Sequence, residues 1–165
     1  MLGSTLAVAG TDMGNVQLSD PAGGGLRIER HTGLMADFVD FFAFVDEDGT
    51  SCAQAARDVS QVTVHDVESD PVFSEPARAA ILAAGSRACH SVPLTTGSGL
   101  SIGVVSAHLA RPLHGLTAAQ TKALDTVGGQ AGRRLTWHDR TVVLDAPEHL
   151  HALGRASSGP LLRRA

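Results

Sequence analysis

The stretch that decides the fold runs Asn15-Val16-Gln17-Leu18-Ser19, then Asp20-Pro21-Ala22-Gly23-Gly24-Gly25, then Leu26-Arg27-Ile28-Glu29-Arg30. In its first arm Val16 and Leu18 alternate with polar residues. The centre is a proline- and glycine-rich turn, and the second arm alternates again. Alternation with period two on both sides of a turn predicts a β-hairpin with one half-buried face. On the amino-terminal side, Leu2 to Ala9 carries small and apolar residues and stops at Gly10, the residue best suited to a left-handed helix end, so a short helix precedes the hairpin. On the carboxy-terminal side, Met35 to Val45 holds Phe38, Phe41, Phe42 and Val45 at three- and four-residue spacing, as an apolar helical stripe would.

Further along, Thr50 or Ser51 can cap a helix over Ala53 to Arg57, and Gln61 to Val67 reads as a strand broken by Asp70-Pro71. Ser74 and Pro76 open a helix over Glu75 to Ala84 that Gly85 closes. A second hairpin follows from Arg87 to Thr95, the turn Thr96-Gly97-Ser98-Gly99, and Leu100 to Ala110 with Ile102, Val104 and Val105. Thr117 and Gln120 form a capping-box pattern for a long helix whose stripe of Leu124, Val127, Ala131 and Leu135 ends near Asp139. The order of helices and hairpins implies an α+β domain on an antiparallel sheet. It occupies residues 1–140, and residues 141–165, with His149, His151, a Ser157-Ser158-Gly159-Pro160 cluster and terminal arginines, read as a weakly ordered tail.

Composition bounds the function. The chain has 165 residues, the size of one domain, with 43% hydrophobic and 18% charged residues, enough apolar surface for a core. The net charge of −4 supplies no basic field for nucleic acid or an anionic membrane. No apolar run approaches the ~20 residues that cross a bilayer. Two cysteines, Cys52 and Cys89, with no secretory leader pattern at Met1-Leu2-Gly3-Ser4-Thr5, indicate a reducing cytoplasm.

Five stretches share order and spacing with the GAF domain family, in particular the bacterial modules found beside sensor histidine kinases. They are Gly14-Asn15-Val16-Gln17-Leu18 with Asp20-Pro21; Gly49-Thr50-Ser51-Cys52; Val64 to Phe73; Ala84 to Leu94; and Gly103-Val104-Val105-Ser106-Ala107-His108 with Pro112. The likeness spans roughly residues 2 to 140 and begins so close to Met1 that the first helix reads as truncated. The resemblance implies a PAS/GAF-like antiparallel sheet with helices packed on both faces. It also implies a pocket between sheet and helices, where members bind a cyclic nucleotide, tetrapyrrole, haem or small metabolite, or nothing known. On this resemblance the candidate ligand-binding residues are Gln17, Cys52, Asp66, Phe73, Arg87, His90 and His108. No cofactor is assigned, and no catalytic or metal-binding residue. Ala53 replaces a usual glycine and Cys89-His90 a common Val-Gln, so no relative's ligand transfers to this chain.

Each candidate has a plainer use. Cys89-His90 resembles the pair that attaches bilin in phytochrome-like members, but there the cysteine lies in a helix, and here it begins a strand, where Cys89 serves as a small buried hydrophobe. Strand parity sets His90 with Ala88, Val92 and Leu94, and His108 with Ile102, Val104 and Ser106, so both imidazoles sit on sheet faces, as pocket groups or as hydrogen-bonded core residues. Haem ligation would need one imidazole aimed into an open planar cavity, and His149 and His151 form no zinc signature. Asp66 and Asp70 could pair for acid–base work, but Asp70 precedes Pro71 in a turn and reads as a cap, and Arg87 reads as an anion clamp or the ion-pair partner of Asp66 or Glu68. The family's free methionine-(R)-sulfoxide reductases need an attacking and a resolving thiol. Cys52 falls near one of these, but the stretch Asp70 to Phe73 lacks the nucleophile.

Three glycines, Gly128, Gly129 and Gly132, each cost the last helix about 1 kcal/mol relative to alanine. Close approach of the first helix or of a second subunit would offset this; otherwise the helix frays locally. The reading is a non-catalytic sensor domain that binds a small molecule or partner. It would act on a signalling protein in trans, since 141–165 is too short for an output domain, and would pair as a homodimer through its terminal helices. The alternatives are a ligand-free scaffold and, lacking its nucleophile, a reductase.

Overall fold

The computed structural model describes the backbone of residues 1–46 and 48–156, and the side chains of the same residues up to Trp137. Residues Met1–Arg133 form one compact unit and Arg134–Ala165 a second.

In the first unit, α1 (Leu2–Ala9) ends at Gly10, whose φ of 73° and ψ of 39° make the left-handed stop. The hairpin β1 (Met13–Asp20) and β2 (Gly25–Thr32) follows, its turn held by Asp20 Oδ1, which accepts from the amides of Ala22 (2.9 Å) and Gly23 (3.2 Å). Then come α2 (Ala36–Phe41), β3 (Phe44–Val45), α3 (Ser51–Asp58) and β4 (Val62–Val64). The chain continues with α4 (Glu75–Ala83), β5 (Ala88–Thr95), β6 (Ser101–Leu109) and α5 (Ala118–Ala156). All pairings are antiparallel in one six-stranded sheet of order β3-β2-β1-β6-β5-β4. The two hairpins read from the sequence thus lie side by side, joined through β1 and β6.

Caps fall where the sequence puts them. Thr50 accepts from the amide of Ala53 at 3.2 Å, and Thr117 and Gln120 bond reciprocally: Gln120 N–H donates to Thr117 Oγ1 (3.2 Å) and Thr117 N–H to Gln120 Oε1 (2.9 Å). Three boundaries differ. The phenylalanine-rich helix stops at Phe41, because Phe44 and Val45 pair with Arg27 and Leu26 at the open edge of β2. Only Phe38 and Phe42, four apart, keep the buried stripe, with ring centroids 4.6 Å apart, while Phe41 is 47% exposed. The strand expected over Gln61 to Val67 shortens to Val62–Val64, because Asp66 Oδ1 accepts from Glu68 N–H and turns the chain. Helix α5 runs to Ala156, past Asp139. Helical backbone depends on propensity as well as on a stripe, and Leu144, Ala146, Leu150, Ala152 and Leu153 are strong formers. Of the expected tail, residues 157–165 lie outside the described residues.

Strand alternation divides the core in two. Beneath α2, α3 and α4 lie Leu34, Phe38, Phe42, Val64, Val67, Phe73, Ala77, Ile81 and Cys89, with Leu26, Cys52, Ala55 and Val104 alongside. The opposite face packs on α1 and the start of α5. There an added Cβ on Gly14 would stand 2.6 Å from Leu6, and one on Gly128 would stand 2.5 Å from the Pro93 carbonyl and 3.0 Å from Val92. An added Cβ on Gly132 would meet the Thr95 backbone equally closely, 2.5 Å from its nitrogen. Gly128 and Gly132 therefore admit strand β5.

Candidate functional site

The face of the sheet beneath α2, α3 and α4 is unusually polar. Register places Asn15 opposite Ser106, Gln17 opposite Val104, Ser106 opposite Ser91 and His108 opposite Cys89, so all of these side chains emerge on one side. Over the part formed by Asn15, Gln17, Ser106 and His108 lie Phe38 and Phe42 from α2 and its end, Thr50 to Cys52 at the start of α3, and Phe73 and Ile81 around α4. Together they enclose a cavity of about 20 Å³, room for one water molecule.

Most polar atoms in this layer satisfy one another. Ser106 and Ser91 hydroxyls are 2.9 Å apart, Ser91 and Ser51 3.1 Å, and Ser51 lies 3.3 Å from Cys89 Sγ. Thr50 Oγ1 lies 3.2 Å from Cys52 Sγ. Ser86 donates to the Ala88 carbonyl at 3.1 Å, which leaves its oxygen to accept from His108 Nδ1–H at 3.2 Å and fixes the tautomer of that imidazole. Two atoms remain without hydrogen-bond partners, Asn15 Oδ1 and Gln17 Nε2. Gln17 is close enough to Cys52 to favour its thiolate slightly, but no oxygen or nitrogen acceptor reaches the amide. Burial dominates the ionisable groups: it pushes the Cys52 thiol up, raises Cys89 to about 12, and lowers His108 to about 4. At neutral pH these groups are uncharged.

Four of the seven residues singled out in the sequence meet at this cavity: Gln17, Cys52, Phe73 and His108. Three do not. His90 faces the opposite side of the sheet, toward α5. There the Thr63 hydroxyl donates to its Nδ1 (2.8 Å), its Nε2–H donates to Gln61 Oε1 (2.8 Å), and Gln61 Nε2 donates on to the Thr121 carbonyl (2.9 Å). Asp66 and Arg87 pair with each other at 3.0 Å, with Glu68 also 3.0 Å from Arg87, which makes the arginine a structural partner rather than an anion clamp. Arg87 holds the Asp66 carboxyl below its ordinary range. Asp70 accepts from Val72 N–H, as a turn cap.

Sequence reasoning missed Asn15, Ser51 and Ser106 as cavity groups. Their signal was parity, since Asn15 shares the face of Gln17, and Ser106 that of His108. It also missed Arg78, whose guanidinium donates to the carbonyls of Val67, Asp70 (3.0 Å) and Phe73 (3.3 Å) and so holds the loop that carries Phe73 over the cavity. A larger open groove of about 490 Å³ lies between the β1–β2 turn, β3 and α3, and its Asp20 and Asp48 are already paired with Arg27 and Arg57. Among the described residues no cluster of His, Cys, Asp or Glu could hold a metal ion, and no helix is long and apolar enough to cross a membrane. No cationic side chain lines the cavity to meet the propionates of a tetrapyrrole.

A six-stranded antiparallel sheet with helices on both faces, closed over a buried polar cavity, defines a PAS/GAF-like α+β domain. Residues 3–136 match the GAF domain family, and the chain belongs to it. Solved structures repeat the fold. A domain of a two-component sensor histidine kinase protein from Sinorhizobium meliloti is similar at 20% identity and a TM-score of 0.68, over 89% of this chain and 92% of that one. The GAF3 domain of a Synechocystis protein in its photoproduct state aligns at 14% identity and 0.65, over 87% and 93%. A free methionine-R-sulfoxide reductase from Neisseria meningitidis, in complex with its substrate, aligns at 20% identity and 0.58, over 81% and 76%. No curated protein matches the chain significantly.

Proposed function

We propose that this chain is a non-catalytic GAF-type regulatory module of the bacterial cytoplasm whose cavity beneath α2, α3 and α4 receives a small molecule. The change then passes through α1 and α5 to a signalling protein in trans, with two copies pairing through these helices. The observation that carries the reading is the pair of buried, unpartnered atoms, Asn15 Oδ1 and Gln17 Nε2, lining one cavity. A fold keeps buried polar groups paired unless something outside the chain completes them. The bond from Gln120 Nε2 to the Val8 carbonyl (3.0 Å) supports a mechanical link between the terminal helices. Absence of catalysis is supported by the two buried thiols, whose raised pKa keeps them from acting as thiolate nucleophiles at neutral pH.

The cavity's small volume favours a second reading, a ligand-free scaffold that keeps the fold for dimerisation. Native mass spectrometry of the purified protein, with a thermal-shift panel of metabolites, separates the two. The receptor reading expects a retained mass or a compound that raises Tm. A bare mass and a flat panel leave the scaffold. Light scattering tests the dimer, which a monomer at all concentrations removes. NADPH consumption coupled through thioredoxin to free methionine sulfoxide would overturn the non-catalytic assignment.

A further inference from the structure

We infer that the cavity is selective for an uncharged ligand that presents a hydrogen-bond acceptor to Gln17 and a donor to Asn15, the chemistry of a carboxamide or urea group. The inference rests on the reading of this cavity as a ligand site and goes further in naming what it takes. Asn15 and Gln17 are 3% and 1% exposed, so water outside the protein cannot complete them. Two apart on β1, they emerge side by side on the same sheet face. One offers a free oxygen and the other a free N–H. A single planar group with C=O and N–H satisfies both at once; because the cavity has room for only one water, such a ligand enters by displacing the side chains of Phe38, Phe42 and Phe73 that cover it.

None of the lining residues carries a formal charge: the set is carboxamides, hydroxyls, a thiol, an imidazole and apolar side chains. Its two titratable members are held neutral by burial, His108 far below and Cys52 above their ordinary values. The hydroxyls of Ser106 and Ser51 are engaged with Ser91, and Thr50 with Ala53 and Cys52, so they supply no spare set of donors for an anion. An ion brought here would lose hydration without a countercharge. A zwitterionic amino acid or a phosphate ester is rejected on the same ground, whereas Phe38, Phe42 and Phe73 suit the apolar remainder of a neutral molecule.

The test uses three probes of one shape: acetamide, acetate and acetamidinium. Each is titrated into the full-length, ¹⁵N-labelled protein while the side-chain amide signals of Asn15 and Gln17 and the backbone amides of β1 and β6 are followed. Acetamide is expected to shift these signals saturably, with both ions about a hundredfold weaker or worse. The Gln17→Met variant, of similar size but lacking the amide, should lose about tenfold or more in acetamide affinity, and Asn15→Leu serves if that variant does not fold. Acetate or acetamidinium binding as tightly as acetamide overturns the ligand class while leaving a receptor cavity. Silence of the cavity signals toward all three probes overturns the site itself, and this inference with it.

Discussion

The two faces of the same six strands are built to opposite standards. Against α1 and α5 the sheet is pressed close. Val92, Leu94, Val105 and Leu124 are buried, the Cβ positions of Gly14, Gly128 and Gly132 are filled by neighbouring atoms, and both ring nitrogens of His90 have partners. Against α2, α3 and α4 the sheet presents serines, a histidine and two carboxamides around a void, with a donor and an acceptor left over. Each unsatisfied buried group costs about 1 to 3 kcal/mol. The asymmetry shows where the fold gives up stability: the helix face is optimised for rigidity, and the cavity face is not.

Each face holds one buried histidine, and acid offers the largest test of the comparison. Burial lowers both His90 and His108 from 6.5 to about 4. An unfolded imidazole binds its proton near pH 6.5, whereas the folded one stays neutral until about pH 4, so the unfolded state gains protons first. The stabilisation is complete above pH 6.5 and is lost as pH falls toward 4, amounting to about 3 kcal/mol for each histidine. His90 faces Thr63 and Gln61, with Asp125 beyond, and His108 faces Ser86 and the edge of Phe38. Chemical denaturation at pH 7 and 4.5 measures the loss, and an NMR titration assigns it. An imidazole that titrates near pH 6 in the folded protein would mean that its face is open to water.

The glycines of α5 sharpen the description of the helix face. In Gly132→Ala the new methyl would clash with the Thr95 carbonyl oxygen and stand 2.5 Å from the Thr95 nitrogen and 2.6 Å from its carbonyl carbon, and neither strand nor helix can yield cheaply. A loss of about 2 to 3 kcal/mol is expected. Gly129, three residues away, has only the flexible end of Arg133 within 3.1 Å of its would-be Cβ. Gly129→Ala should therefore stabilise the helix by up to about 1 kcal/mol. Equal effects in urea denaturation would show that the helix is not seated on β5 as described.

Gln61 divides the faces at a smaller scale. Gln61→Leu leaves the buried Nε2–H of His90 without an acceptor and removes the link to Thr121, at a cost of about 1 to 2 kcal/mol. On the cavity face Gln17→Met deletes a donor that has no partner, and stability should hold or rise slightly. Two polar-to-apolar changes of similar size are thus expected to move Tm in different directions. If both destabilise equally, Gln17 is bonded in solution to something more tightly held than an exchangeable water.

How much of this was legible in the sequence follows from the range of the forces involved. Local signals were: Gly10 stopping α1, the Asp20 turn, the Thr117–Gln120 box and the parity of His90 and His108 depend on residues a few positions apart. What decided β3 was an open edge on β2, some twenty residues upstream in the chain, and no periodicity in Met35 to Val45 reports it. The site divided along the same line. Parity put His90 and His108 on sheet faces but could not say that those faces are opposite, because that depends on the register of β5 against β6, where Cys89 and not His90 stands across from His108. The anchoring role of Arg78 depends on three carbonyls of an irregular loop and left no pattern to read.

The smallest effect is expected where neither face is involved. Arg87 pairs with Asp66 and Glu68 at the edge of the sheet, with the three side chains between 30% and 58% exposed. Exposed pairs contribute little, because solvent screens the attraction and ordering two long side chains offsets what remains. Arg87→Met should lower Tm only slightly, and added salt should erase most of the difference from the parent protein. Acetamide affinity should not change, since Arg87 does not line the cavity. A marked loss of probe binding in this variant, with the fold intact, would break the comparison at its root: the site would then extend across the sheet edge, and an ion pair treated as structural would belong to it.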